Sequence, residues 1–178
     1  SVEYFLLVAA QDADDARAVG HWDSEFEVPY ADATAVPNGW LKTDLYKSTN
    51  PVVKSEVAEI TNTQVFIGNN ALLLTTGDNT GELRSEFDLT AREGFLYKLQ
   101  AMTYIETSGN PTITLSFWDN EGLLLSSATA KYLDSSKDAG VWKNLSVSGI
   151  APVGTVAVTA TLTGVTGEVF FDNIRLRE

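Results

Sequence analysis

Asp172 and Asn173 place a carboxylate beside a carboxamide within a β-strand pattern near the C-terminus. The apolar residues of this pattern change parity at that point, from Val169 and Phe171 to Ile174 and Leu176. A strand that keeps its apolar side chains inward can change parity only through a bulge, so the sequence predicts a bulge at Asp172-Asn173. Bulges re-aim side chains, and this pair suits an oxygen-binding cation such as calcium. An edge strand with an irregularity of no functional consequence is the alternative.

Two strongly alternating segments, residues 95–105 and 112–118, supply a second set of candidates. Their odd positions are mainly apolar and point inward. The outward residues are therefore Lys98, Gln100, Met102 and Tyr104 in the first segment, and Thr112, Thr114, Ser116 and Trp118 in the second. The connection over residues 106–111 suits a hairpin. This predicts that the two rows lie side by side, with Trp118 against Lys98 or Gln100 and Tyr104 against Thr112 or Thr114.

A sheet face with an exposed Trp, a Tyr, a Met and hydrogen-bonding groups suits a sugar. The apolar face of a pyranose ring stacks on an aromatic plane, while its hydroxyl groups need polar side chains at set positions. We therefore predict stacking on Trp118 and Tyr104, with Gln100, Lys98 and Met102 beside them. The alternative is that a loop or a neighbouring domain covers Trp118 and Met102.

The N-terminal third contains further aromatic residues among loop-like segments: Trp22, Tyr30, Trp40 and Tyr46. Loops at the end of a β-sandwich commonly carry binding groups, so these residues form a second candidate site. Each of them can instead close the edge of the core. Trp142 opens a strand pattern and is interpreted as a core residue.

The rest of the chain is also almost entirely strand-like. Further strands are predicted at residues 83–89, 142–147, 155–163 and 169–176, and less distinctly at 52–60, 64–67 and 71–76. Residues 12–19 form the one predicted short helix. Turn residues separate the strands, for example in Asp119-Asn120-Glu121-Gly122. Many short strands at this spacing predict an all-β fold of two packed antiparallel sheets, a β-sandwich or jelly roll.

Composition narrows the function classes. The 178 residues suit one domain, and a net charge of −12 makes nucleic acid and anionic membrane surfaces poor partners. The same negative charge disfavours binding of a polyanionic polysaccharide, unless a local basic patch or a bridging cation compensates for it. The absence of cysteine excludes disulfides and thiol chemistry, and a single histidine, His21, leaves little imidazole chemistry. The apolar run at residues 4–10 is too short to span a membrane.

Several motifs, in this order, resemble carbohydrate-binding modules of the xylan- and glucan-binding kind (families 4, 9 and 22). They are Ser24-Glu25-Phe26-Glu27, Pro37-Asn38-Gly39-Trp40, Gly68-Asn69-Asn70-Ala71, Phe95-Leu96-Tyr97, Phe117-Trp118-Asp119-Asn120-Glu121-Gly122, Trp142, Ala151-Pro152-Val153-Gly154 and Phe171-Asp172-Asn173-Ile174-Arg175-Leu176. The resemblance covers residues 24–178 and leaves residues 1–23 as an N-terminal extension. It implies a galactose-binding-like β-jelly roll without catalytic activity of its own.

The resemblance also implies a ligand, a metal and a location. Such modules are usually appended to a secreted polysaccharide-degrading enzyme, which implies a linked catalytic domain and a secreted or cell-surface bacterial protein. A structural calcium ion would be held by Glu27 and Asp172, with Glu25 as a further ligand and backbone carbonyl groups as the rest. The polysaccharide would bind either along the sheet face, at the residues derived above, or in the loops, at Trp22, Trp40, Tyr46 and Asn69.

Two other function classes stay open. An enzyme would need a catalytic constellation, and no Ser/His/Asp set, nucleophile elbow or P-loop is present. Paired carboxylates for glycoside hydrolysis, or a lyase that uses Tyr104 and Lys98, are not excluded by the sequence. The second class is a structural or protein-binding β-sandwich of a larger cell-surface protein, in which a partner buries Trp118 and Tyr104.

Overall fold

The computed structural model describes residues 40–41, 58–75, 80–85, 90–132, 137, 139–165 and 167–178. Ten strands lie within these ranges: β1 (Trp40–Leu41), β2 (Ala58–Thr61), β3 (Ala71–Thr75), β4 (Thr80–Ser85), β5 (Leu96–Ile105), β6 (Thr112–Trp118), β7 (Leu124–Lys131), β8 (Lys143–Ile150), β9 (Ala157–Val165) and β10 (Glu168–Arg177). In this part of the chain, no helix has the length and apolar character needed to cross a membrane.

The strands form two five-stranded sheets, and every described pairing is antiparallel. One sheet has the order β2-β3-β10-β5-β8, and the other has the order β1-β4-β9-β6-β7. Apolar side chains from both sheets fill the space between them, which is the arrangement of a β-sandwich. The predicted fold class is therefore confirmed.

The core follows from the alternation of strand residues. Along β5, the odd positions are buried, and along β6, Ile113, Leu115 and Phe117 are buried. Tyr97 and Phe117 meet edge to face across the sandwich, with ring centroids 5.8 Å apart. Gly149 leaves space for this pair, because a Cβ atom there would lie 3.1 Å from the Phe117 ring.

The predicted bulge in β10 is confirmed. Asp172 pairs with Met102 and Arg175 pairs with Gln100, so two residues of β10 oppose the single residue Ala101 of β5. Asn173 takes a φ of 50°, in the left-handed region that asparagine tolerates better than most residues. The extra residue restores the inward direction after the parity change, and Ile174 and Leu176 are buried.

The predicted hairpin between residues 95–105 and 112–118 is wrong. Strands β5 and β6 lie in different sheets, so residues 106–111 cross from one sheet to the other. The hairpin partner of β6 is β7, and the side chain of Asp119 stabilises the turn by accepting bonds from the backbone N–H groups of Glu121 and Leu123. The sequence did not predict β7 because this edge strand consists mainly of small residues.

The strand predicted at residues 64–67 is wrong, because these residues lie in a loop between β2 and β3. The helix predicted at residues 12–19 and the boundary between residues 1–23 and 24–178 lie outside the described residues, and they stay predictions.

Candidate functional site

The side of the sheet β2-β3-β10-β5-β8 that points away from the core carries the outward row of β5; we call it the β5 face. Along β5, the outward residues are half-buried or exposed while their neighbours are buried. Strand pairing places residues of β8 and β10 on either side of this row. The three rows are Asn144–Met102–Asp172, Ser146–Gln100–Arg175 and Ser148–Lys98–Arg177.

The loop between β2 and β3 forms one wall beside these rows, and Asp172 holds it there. The Oδ2 atom of Asp172 accepts hydrogen bonds from the backbone N–H groups of Phe66 and Ile67, each at 2.9 Å. Its Oδ1 atom accepts a bond from the N–H group of Asn173 at 2.7 Å. The Asp172 side chain is fully buried, whereas Phe66 and Ile67 remain 44% and 41% exposed. The bulge therefore positions an apolar wall that faces solvent.

Aromatic rings line the end of the face nearest this loop. The ring centroid of Trp142 lies 5.7 Å from that of Phe66 and 5.5 Å from that of Tyr104. The ring centroids of Tyr104 and Phe170 are 5.9 Å apart. The planes are tilted or perpendicular, as expected for rings that pack edge to face. Trp142 is half-buried within this cluster, so its interpretation as a core residue is wrong. Trp142 directly precedes β8, and its even number matches the parity of the outward residues Asn144, Ser146 and Ser148.

A cavity of about 370 Å³ opens beside the aromatic cluster. Its lining combines apolar and polar side chains: Phe66, Ile67, Met102, Gln100, Asn144, Asn173 and Arg175. The Nε–H group of Arg175 donates to Oδ1 of Asn173 at 3.1 Å, so the bulge also positions this guanidinium. A cavity of this size with a few polar groups is typical of a small-molecule or oligosaccharide subsite.

A second cavity, of about 500 Å³, follows along β5 towards its first residues. It is lined by Phe95, Leu96, Lys98, Arg177 and Glu178. Arg92 forms an ion pair with Glu178, and its guanidinium lies 4.1 Å from the centre of the Phe95 ring. The two cavities occupy successive positions of one strand, so the β5 face offers an elongated binding surface.

The structure brings four of the predicted site residues together: Tyr104, Met102, Gln100 and Lys98 all lie on the β5 face. Trp118 is separate from them. It lies on the outer side of the other sheet, which points in the opposite direction, so the predicted side-by-side rows are wrong. Trp118 is half-buried, and its indole N–H group donates to the hydroxyl group of Thr159 at 2.9 Å.

The alternative site in the loops is largely outside the described residues. This applies to Trp22 and Tyr46, while Trp40 belongs to strand β1 at the edge of the sheet that contains β6. Asn69 lies exposed in the loop between β2 and β3. The sequence did not indicate Phe66, Asn144 or Arg175 as site residues, because only the tertiary structure places them next to Gln100.

The described residues contain no group of three acidic or histidine side chains that could hold a metal ion. The carboxylate of Asp172 accepts three backbone N–H bonds, and this accounts for its burial without a cation. Glu25 and Glu27, the other predicted ligands, lie outside the described residues, so calcium binding stays a prediction.

Solved carbohydrate-binding modules have the same fold. The second family 22 xylan-binding module of Paenibacillus barcinonensis Xyn10C matches with a TM-score of 0.58 and 13% identity, over 86% of this chain and 96% of the module. The C-terminal family 22 module of Clostridium thermocellum Xyn10B matches with a TM-score of 0.55 and 11% identity, over 89% and 94%. This chain thus covers both of these modules nearly end to end.

A longer protein also matches: the N-terminal family 22 and family 10 modules of Clostridium thermocellum xylanase 10B, with xylohexaose bound. The TM-score is 0.55, the identity is 17%, and the match covers 79% of this chain. The chain spans about a quarter of that polypeptide, 26% of its length. No protein-family model and no curated protein matches the chain. At these identities the comparisons establish the fold of carbohydrate-binding modules and no more.

Proposed function

We propose that this chain is a non-catalytic carbohydrate-binding module that binds a polysaccharide on the β5 face. The observation that carries the proposal is the juxtaposition of exposed and half-buried aromatic rings with a cavity that contains polar side chains. Phe66, Trp142 and Tyr104 form one end of the surface, and Gln100 and Arg175 continue it. Aromatic faces and convergent hydrogen-bonding groups are the two requirements for holding a sugar ring.

The length of the surface favours a polysaccharide over a monosaccharide. Lys98 and Tyr104 are six residues apart on β5, which corresponds to about 20 Å at the rise of an antiparallel strand. A single sugar ring occupies only part of that distance. We infer that several consecutive sugars bind along β5, with aromatic contact near Tyr104 and hydrogen bonds near Gln100.

The biological role follows by analogy with the modular xylanase. Binding to an insoluble glycan holds a covalently linked catalytic domain close to its substrate and raises its effective concentration. A linked glycan-degrading domain and a secreted or cell-surface location are therefore parts of this proposal. This role requires no catalytic activity of the chain itself.

Affinity electrophoresis against a panel of polysaccharides tests the proposal, with each gel run in calcium and in chelator. Retardation by a subset of polysaccharides, reduced in Tyr104→Ala and Gln100→Ala, is the expected result. An unretarded wild-type protein in every gel contradicts the proposal. Turnover of a polysaccharide by the isolated chain contradicts the non-catalytic assignment.

One observation favours a second candidate function, a structural or protein-binding module. Leu96 and Ile150 face each other across β5 and β8 and are 57% and 64% exposed, and Phe95 and Val153 are also exposed nearby. An apolar patch of this kind is typical of a protein contact. The variant Ile150→Ser separates the two functions, because it removes part of the patch without altering the cavity beside Gln100. Unchanged glycan binding in this variant is expected if the chain is a carbohydrate-binding module.

A further inference from the structure

The charges on the β5 face are opposite in sign to the charge of the whole chain. The chain has a net charge of −12. In the three rows described above, the outward cationic residues are Lys98, Arg175 and Arg177, and Asp172 is the acidic residue. Asp172 is fully buried, and its oxygen atoms face backbone N–H groups. Glu178 also lines the cavity beside Lys98 and Arg177, and its carboxylate is paired with Arg92. A ligand on this part of the described surface therefore meets more positive than negative side chains.

From this arrangement we propose that the β5 face selects polysaccharides with carboxylate groups, that is, polymers containing uronic acids. The inference rests on the proposed function and names its ligand class. Uronic acid carboxyl groups are ionised at neutral pH, as carboxylic acids are. Gln100 and Asn144 line the same cavity and bind the sugar hydroxyl groups, whereas the cations bind the carboxylates.

Lys98 and Arg177 are directly opposed across β5 and β10. The pair therefore places two positive charges next to each other on the β5 face. A carboxylate bound there is attracted by both charges, whereas a neutral sugar is not, so the pair contributes to discrimination between charged and neutral ligands.

Arg175 contributes geometry in addition to charge. Its Nε–H group is held by the side-chain oxygen of Asn173, whose position is set by the bulge, and the Nη groups take no part in that bond. A guanidinium with a restricted orientation is well suited to a carboxylate, because its N–H groups form two parallel hydrogen bonds with the two oxygen atoms. A neutral hydroxyl group has a single oxygen atom and does not form this pair of parallel hydrogen bonds.

The spacing of the cations fits a polymer. Arg175 is opposite Gln100, and Lys98 is the next outward residue of β5, so the two cationic positions lie about 7 Å apart along the strand. Carboxylates on different sugars of one polysaccharide chain can bind at the two positions, because the surface is elongated along β5.

Binding to matched polysaccharides tests the inference. We would measure the affinity of the full chain for glucuronoxylan, polygalacturonate and alginate, each before and after chemical reduction of its carboxyl groups. Each affinity would be measured in chelator, which prevents bridging by calcium, and again in calcium, which keeps the predicted calcium site filled. The buffer would contain about 0.15 M salt, at which the Debye length of about 8 Å screens the repulsion by distant acidic residues. At least one acidic polymer is expected to bind about tenfold more tightly than its reduced form, the gain of one charge-assisted contact.

Three charge-matched variants complete the experiment. Arg175→Gln and Lys98→Gln are expected to lower the ratio of acidic to reduced affinity at least threefold. Lys131→Gln changes the same charge on the opposite sheet, where Lys131 pairs with Thr112, and is expected to keep the ratio. Because the ratio is measured within each variant, a partial loss of folded protein does not alter it.

The outcomes separate this inference from the proposed function. Equal binding of a polysaccharide and its reduced form overturns the inference and leaves the carbohydrate-binding function standing. Failure of every acidic and neutral polysaccharide to bind overturns both. Binding of DNA as tight as that of the acidic glycans also overturns the inference, because it would show ion exchange without recognition of a sugar.

Discussion

The Oδ2 atom of Asp172 lies 2.9 Å from the backbone nitrogen of Phe66, and the ring of Phe66 packs against Trp142 beside the cavity that contains Gln100. A bulge in the central strand of one sheet is thereby coupled to the loop between β2 and β3. The carboxylate that the sequence indicates as unusual determines where an aromatic wall of the binding surface lies.

Asp172→Ala is expected to destabilise the fold and to weaken glycan binding together. The substitution leaves the N–H groups of Phe66, Ile67 and Asn173 without this acceptor. A donor that is left buried without a partner costs about 1–3 kcal/mol, and the part-buried N–H groups of Phe66 and Ile67 cost less because water reaches them more easily. We expect the free energy of unfolding to fall by about 3 kcal/mol, measured by urea denaturation. Asp172→Asn retains one acceptor oxygen and is expected to lose less. A wild-type urea midpoint for Asp172→Ala would show that the loop is held by other contacts.

Trp142→Ala and Trp118→Ala form a matched pair on opposite faces of the sandwich. Trp142 contacts Tyr104 and Phe66, so its removal is expected to weaken glycan binding about tenfold, the value of roughly one stacking contact. Trp118→Ala removes the bond to Thr159 and is expected to lower stability while leaving glycan affinity unchanged. Calorimetric titration and thermal melting measure the two effects. A loss of affinity confined to Trp118→Ala would place the binding site on the other sheet.

Asn173 can be tested with two substitutions that separate backbone strain from contact. Asn173→Gly accepts the φ of 50° and removes the side-chain oxygen that holds Arg175, so it is expected to weaken glycan binding with little loss of stability. Asn173→Ala removes the same oxygen but keeps a Cβ atom in the left-handed region, so it is expected to be about 1 kcal/mol less stable than Asn173→Gly. Denaturation and binding measured on both variants give the two contributions. Equal stability of the two variants would mean that the bulge relaxes without cost.

Calcium binding is testable without knowledge of the glycan. If Glu27, Glu25 and Asp172 hold the ion, chelator is expected to lower the melting temperature, and added calcium is expected to restore it, because a ligand that binds only the folded state stabilises that state. Glu27→Gln is expected to abolish this response. A wild-type melting temperature that chelator does not change would leave Asp172 with its role in holding the loop alone.

Tyr132 is expected to make the free energy of unfolding decrease as the pH rises above 10. Burial raises the pKa of Tyr132 above its ordinary value of 10.0, and the hydrogen bond from the hydroxyl group of Thr103 acts in the opposite direction. Because the folded state favours the protonated phenol, the stabilisation is complete below pH 10 and is lost as the pH rises through the raised pKa. Tyr132→Phe is expected to reduce this decline in urea midpoint above pH 10. Parallel curves for both proteins would contradict it.

Much of the β5 face could be predicted from the sequence, because alternation in a strand has a period of two. That period identifies Gln100, Met102 and Tyr104 as outward residues of β5 from their neighbours alone. The parity change around Asp172 likewise requires a bulge, since a residue must be added to return the apolar side chains to the core. Both predictions depend only on the sequence of neighbouring residues along the chain.

The separation of Tyr104 from Trp118 was decided by tertiary structure. A six-residue connection permits either a hairpin or a crossing between sheets, and local residue preferences do not distinguish them. The choice depends on how all the strands together bury their apolar faces. The same packing brings Phe66, Trp142 and Arg175 together from three distant parts of the chain. Local periodicity thus determines which way a side chain points, and only the assembled sheets determine which other side chains it meets.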